Sequence, residues 1–185
     1  ELPLWTPDIF MGAPLLANPQ LGTLYPPNWL TVTLDAPNAI RASILLHIAW
    51  ATLGAYTLAR RSVRLRVSAA VVTATLYGLG GYVGAHVEQI NQLQGLAWAP
   101  WAFVALHGAV GRSTDLAHQA PTMLALGGIL ALQFLAGHTQ TVFVTVVGLT
   151  AYTLAAWRPR GLVALGLAGM VALLLASPQL IPTLE

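Results

Sequence analysis

Six apolar runs, separated by short polar breaks, constrain this chain more than any other feature. They are Ile40–Leu58, Val67–Ala85, Leu93–Val110, Ala120–Ala136, Thr141–Trp157 and Leu162–Ala176. Each comes close to the roughly 20 residues that cross a hydrocarbon layer about 30 Å thick. Backbone groups in lipid must pair within their own segment unless a barrel closes, and the alternation of barrel strands is absent here. Helices are therefore expected, and breaks as tight as Gly137-His138-Thr139-Gln140 predict antiparallel neighbours. The fold class is all-α, a polytopic transmembrane bundle of about six helices. Its domain plan is an outer juxtamembrane loop over 1–38 followed by the bundle over 39–185.

Composition points the same way. Of 185 residues, 56% are apolar and 8% charged, against roughly a quarter charged in a soluble domain. So little charge cannot cover a water-facing surface. The arginines form no broad basic face with interleaved aromatics, which argues against a nucleic-acid partner. Without cysteine, disulfides, thiolate metal sites and cysteine nucleophiles are excluded.

Residues 1–38 differ from the rest, holding seven of the twelve prolines. Such density forbids a long helix. Trp5, Phe10, Leu15, Tyr25 and Trp29 make the segment too apolar for a solvated linker, so an ordered loop at the membrane interface is expected. A short helix is expected near Asp8 to Ala17. At the other end, Ser177 through Glu185 are expected to leave the last helix. The chain reads as an interior piece of a longer protein, with at least one membrane helix before Glu1.

Charge orients the helices. Arg60, Arg61, Arg64 and Arg66 fill the first break, Arg112 the third, and Arg158 with Arg160 the fifth. The positive-inside rule makes that side cytoplasmic and places the proline-rich loop outside. Glu1, Asp8, Asp35, Glu88 and Glu185 fall on the outer side. So do Asn18, Gln20, Asn28, His86, Gln89, Asn91, Gln92, Gln94, His138, Gln140 and Gln179. Carboxylates, imidazoles and amides gathered on one face suit a polar substrate, although outer loops are also simply wet.

From that set, Asp8 and Glu88 are the candidate catalytic acids, because an acid–base reaction needs a carboxylate near the membrane surface. The candidate substrate-binding residues are Arg41, Asn18, Gln20, Tyr25, His86, Asn91, Gln92, His138 and Gln140. Arg41 stands alone at the outer start of the first helix. It can grip a phosphate, snorkel to headgroups or pair with Asp35. His47 lies two turns deeper, where an ionisable group is a functional candidate by default or a neutral packing residue. His107 and His118 fall at the cytoplasmic ends. His86-Val87-Glu88 is only a fragment of a metal motif, and a divalent metal on acids and histidines stays open. Gly80 and Gly84 have the spacing of a close helix seam, as do the small residues around Gly161 and Gly169. Pro100 is expected to kink the third helix and Pro121 to open the fourth.

The outer loop also carries a pattern: Leu2-Pro3-Leu4-Trp5-Thr6-Pro7, then Phe10 through Gln20, then Tyr25-Pro26-Pro27-Asn28. It resembles the first outer loop of YfhO-type bacterial membrane proteins. The likeness continues through Ala59-Arg60-Arg61, Glu88 to Pro100, Gly137-His138-Thr139-Gln140 and Gln179 to Glu185. The resemblance implies a GT-C-type glycosyltransferase in the bacterial cytoplasmic membrane. Such an enzyme moves a sugar from a polyprenyl-phosphate donor to a cell-envelope acceptor on the outer face. It implies a main catalytic acid upstream of Glu1. The chain departs from the family pattern at Thr6 and Asp8, where an Asn and an aromatic are usual. Two other classes remain: a non-catalytic subunit docked in a larger membrane complex, and a transporter of lipid-linked substrates.

Overall fold

A computed structural model describes residues 5–7, 12–110, 116–156 and 159–184. The chain is all-α apart from one small ladder. Two short strands, β1 (Trp5–Thr6) and β2 (Ala13–Pro14), pair antiparallel, and two 3₁₀ segments follow at Pro19–Leu21 and Pro26–Val32. Then come α1 (Ala36–Thr57, ending in one π turn over Leu58–Ser62), α2 (Val67–Gly78), α3 (Gly81–Ala85) and α4 (Ile90–Ala109). The last three helices are α5 (Leu116–Leu135), α6 (Thr139–Ala155) and α7 (Pro159–Leu184).

Three helical segments are long and apolar enough to cross a membrane: Ala36–Ser62, Val67–Ala85 and Arg160–Leu184. The packing is inside out relative to a water-soluble bundle. Small residues fill the seams, as with Ala39, Ser43, Ala51 and Gly54 on α1 and Ala70, Ala74 and Gly78 on α2. Large apolar side chains such as Val72, Leu76, Phe143 and Leu174 point outward. Small residues let helix backbones approach closely where lipid supplies no hydrophobic push.

α4 is the central helix, packed on α1, α5 and α6, while α5 leans on α7. Its Leu106 joins Leu126, Leu130 and Leu149 in the apolar core. α4 runs through Pro100 without a break. Proline offers no N–H to the carbonyl four residues back, and the Tyr77 hydroxyl donates to that Leu96 carbonyl at 2.8 Å. α7 repeats the device, since Ser177 Oγ donates at 2.7 Å to Leu174 O, the carbonyl that Pro178 leaves free.

Several expectations are corrected. The segment Asp8 to Ala17 holds no helix over its described part. Gly12 has φ +118°, Ala13–Pro14 lie in the ladder, and 15–17 form a turn. Ser177 onward stays helical to Leu184, with side-chain hydroxyls bonding to carbonyls around the two prolines. Pro121 lies inside α5 rather than at its start, which is Leu116. Gly80 and Gly84 make no helix seam. Gly80 sits in the bend between α2 and α3, and a Cβ on Gly84 would meet nothing within 4 Å. The true seam glycine is Gly78, whose Cβ would collide with the Thr52 hydroxyl. Likewise Gly161 packs against Thr153 and Val110, while a Cβ on Gly169 would be free of contact.

Candidate functional site

The first turn of α4, the break after α5 and the last turns of α7 converge on one end of the bundle, against the segment 12–34. Asn91 Nδ2 donates to Gln20 O, Gln179 Nε2 donates to Leu16 O at 2.6 Å, and Gly137 lies against Pro19. Gly137 has φ +90°, and any Cβ there would run into the Pro19 carbonyl. The loop is thus pinned to the bundle at three points.

A fourth pin goes deeper. Tyr25 is fully buried, and its hydroxyl lies 2.7 Å from His47 Nε2 and accepts from Trp98 Nε1 at 2.7 Å. His47 Nδ1 reaches the Ser43 carbonyl at 2.6 Å. Gln94 Nε2 donates to Ser43 Oγ at 3.1 Å and to Asn28 Oδ1 at 2.6 Å, and Asn28 Nδ2 donates to Gly22 O at 3.0 Å. Burial pushes the Tyr25 phenol upward, and the Trp98 N–H draws it partly back. It is a neutral hydrogen-bonding group at every physiological pH.

Two recesses open beside this network, on either side of the α4 start. A groove of about 320 Å³ runs between α2–α3, α4 and α6. Its polar mouth holds Tyr82, Gln92, His138 and Gln140, and its apolar body descends along Leu96, Ala99, Phe103, Val144 and Gly148. Gln92 Nε2 donates to the Tyr82 hydroxyl at 3.2 Å. His138 caps α6, its Nδ1 accepting from the Thr141 backbone N–H and lying 2.6 Å from Thr141 Oγ1. The second recess, about 640 Å³, lies between the loop and α1, with Thr23, Asn28, Trp29, Ser43 and Asn91 in its wall.

The expected site residues divide accordingly. Gln92, His138 and Gln140 share the groove mouth, and Asn91 lines the second recess. Tyr25 is a buried pin between them. His86 is half-buried, its ring tilted by 38° against Tyr82 at 4.4 Å, with Nδ1 2.7 Å from Tyr82 O. It buttresses the groove mouth. Asn18 caps the first 3₁₀ segment by accepting from the Gln20 backbone N–H at 3.0 Å, and Gln20 contributes its backbone carbonyl to Asn91. Glu88 is exposed on the turn after α3 and lines neither recess. Arg41 is exposed on the face of α1 opposite Ser43 and His47, and it lines neither recess. Asp8 lies outside the described residues. Among the described residues no three His, Asp or Glu side chains gather as metal ligands.

Ser43, Gln94 and Trp98 were not singled out as site residues. The spacing Ala39, Ser43, His47, Ala51 marks one small-residue face of α1, which is the signal that would have found Ser43. Gln94 follows Asn91 by three residues, about one helical turn, and reading that polar run as the first turn of α4 places it inside. Comparison with protein-family models, with curated proteins and with solved structures finds no match for this chain.

Proposed function

We propose that this chain is the substrate-binding part of a membrane glycosyltransferase-like protein that takes a sugar from a polyprenyl-phosphate donor. The observation that carries the reading is the two-part groove. A polar mouth with imidazole, amides and a phenol opens onto an apolar body between the helices. That gradient matches an amphiphile with a polar head and a long hydrocarbon tail. The resemblance of the loop to YfhO-type proteins supports the same substrate class. In this reading all six runs cross the bacterial cytoplasmic membrane, with the arginine breaks inside and the loop outside. The sugar then passes to a cell-envelope acceptor. A carboxylate removes the acceptor proton, and a cation balances the departing phosphate; Arg41, which lines neither recess, would have to reach the head from outside the groove.

The test is transfer by the purified full-length protein in lipid nanodiscs, supplied with a radiolabelled polyprenyl-phosphate hexose and envelope extract. Labelled product that requires the protein supports the reading, and its absence with every donor overturns it. A second reading is favoured by one observation. The described carboxylates Asp35 and Glu88 line neither recess. A protein that binds and presents or moves a lipid-linked substrate, as a non-catalytic subunit or a transporter, needs no acid there.

A further inference from the structure

The recess between the loop and α1 is built differently from the groove. Its wall is largely aliphatic, with Leu21, Leu30, Val32 and Ile40 among its residues, and carries amides, hydroxyls and one indole but no carboxylate, imidazole or guanidinium. Several of its polar groups have bonding capacity to spare. Asn28 uses one amide proton on Gly22 O and one acceptor position for Gln94, leaving one of each. Asn91 spends one proton on Gln20 O, and its Oδ1 has no protein partner. Among the described residues the Thr23 hydroxyl has no partner either, only its backbone carbonyl being used. Ser43 is nearly fully buried yet borders the recess. Its Oγ accepts from Gln94 and lies 3.3 Å from His47 Nδ1.

Behind this wall, the fully buried Gln94 holds Asn28 and Ser43 through Nε2 and leaves Oε1 unpaired. An unmet acceptor at zero exposure is costly, and the amide that bears it is tied to two residues of the wall. It orients both wall residues at once. Trp29 closes the rim, with its Nε1 tied to Thr23 O at 3.1 Å and 57% of its surface exposed. The indole is therefore held in place by its polar edge while its surface remains open.

We infer that this recess is a binding site for a neutral sugar ring. A hexose offers hydroxyls that both donate and accept, which suits spare amide and hydroxyl groups of both kinds. It also offers an apolar C–H face, which suits an exposed aromatic ring. A phosphate or carboxylate ligand finds no cation in the wall. The volume of about 640 Å³ accommodates one or two rings. Asn91 faces this recess and the adjacent Gln92 faces the groove, so the start of α4 separates the two sites by a single residue step. The inference does not depend on sugar transfer. A protein that binds hexose and transfers nothing would leave it standing.

The experiment is saturation-transfer NMR on the full-length protein in nanodiscs, with glucose, galactose and N-acetylglucosamine as probes and glucose 6-phosphate as the anionic control. At least one neutral sugar is expected to bind saturably, and the phosphorylated control more weakly. Trp29→Ala is expected to weaken binding about tenfold, and Thr23→Val, which keeps shape and removes one hydroxyl, about threefold to tenfold. The inference is overturned if no neutral sugar saturates, if both variants bind like the parent, or if glucose 6-phosphate binds as tightly.

Discussion

The Tyr25 hydroxyl and His47 Nε2 lie 2.7 Å apart, a hydrogen bond that ties the loop to α1. The Ser43 carbonyl beside Nδ1 can only accept, so the neutral ring leaves Nε2 to accept from the Tyr25 hydroxyl, whose oxygen in turn accepts from the Trp98 indole. His47 then carries its remaining proton on Nδ1, directed at the Ser43 carbonyl. A loop residue is thereby bonded into a helix two turns below the surface. The histidine is a structural joint between loop and bundle.

Tyr25→Phe should therefore cost more than one hydrogen bond. It leaves a buried acceptor on His47 and a buried donor on Trp98 unmet, each worth about 1–3 kcal/mol. Thermal unfolding in detergent should show a loss of about 2–4 kcal/mol. Limited proteolysis should show faster cleavage within the loop. Equal stability and equal cleavage would mean the loop is held elsewhere.

The pH dependence of stability has a definite sign. Burial raises the Tyr25 phenol above its unfolded value. Its contribution is fully present below the unfolded value near pH 10 and is lost as pH rises past it. The unfolding midpoint is expected to fall above about pH 10, and the fall should be shallower in Tyr25→Phe.

Tyr77 and Pro100 make a coupled pair. Tyr77→Phe strips the Leu96 carbonyl of its donor and should cost about 1–2 kcal/mol. Pro100→Ala restores the backbone N–H that this carbonyl lacks. The double variant should recover most of the Tyr77→Phe loss, a coupling that a double-mutant cycle measures. Strictly additive losses would remove the account of how α4 tolerates its proline.

Gly137→Ala tests the junction of loop and bundle. The position has φ +90° and its Cβ would meet the Pro19 carbonyl, so strain and collision add. A loss of about 2–4 kcal/mol is expected by thermal unfolding. Gly84→Ala, at a position with open space, should change stability by less than about 0.5 kcal/mol.

The helices were legible because one rule marks every run: apolar side chains over nearly its full length, and enough residues to close backbone bonds within it. Where that rule is silent, reading by spacing failed. Gly80 and Gly84 have seam spacing, but α2 ends at Gly78, and spacing carries no meaning across a bend. Gln92, His138 and Gln140 could be grouped as polar residues on one end, since short breaks return the chain to the same level. Which recess each one lines depends on helix rotation. The same holds for Arg41, whose place opposite Ser43 follows from helical phase. The bond from Tyr25 to His47 was out of reach because an irregular loop has no period to read. No local pattern says which loop side chain will dip into the bundle.

The central claim is that the groove along α4 and α6 holds the tail and head of a lipid-linked substrate. Native mass spectrometry of the full-length protein, released gently from membranes, tests it most directly, with Val144→Trp beside it. Val144 is 61% exposed and lines the groove, so a tryptophan there fills the recess without entering the core. The account predicts a copurifying polyprenyl-phosphate species on the parent and at least about tenfold less on the variant, with unfolding temperature unchanged. Ordinary phospholipid alone, bound equally by both proteins, would contradict it.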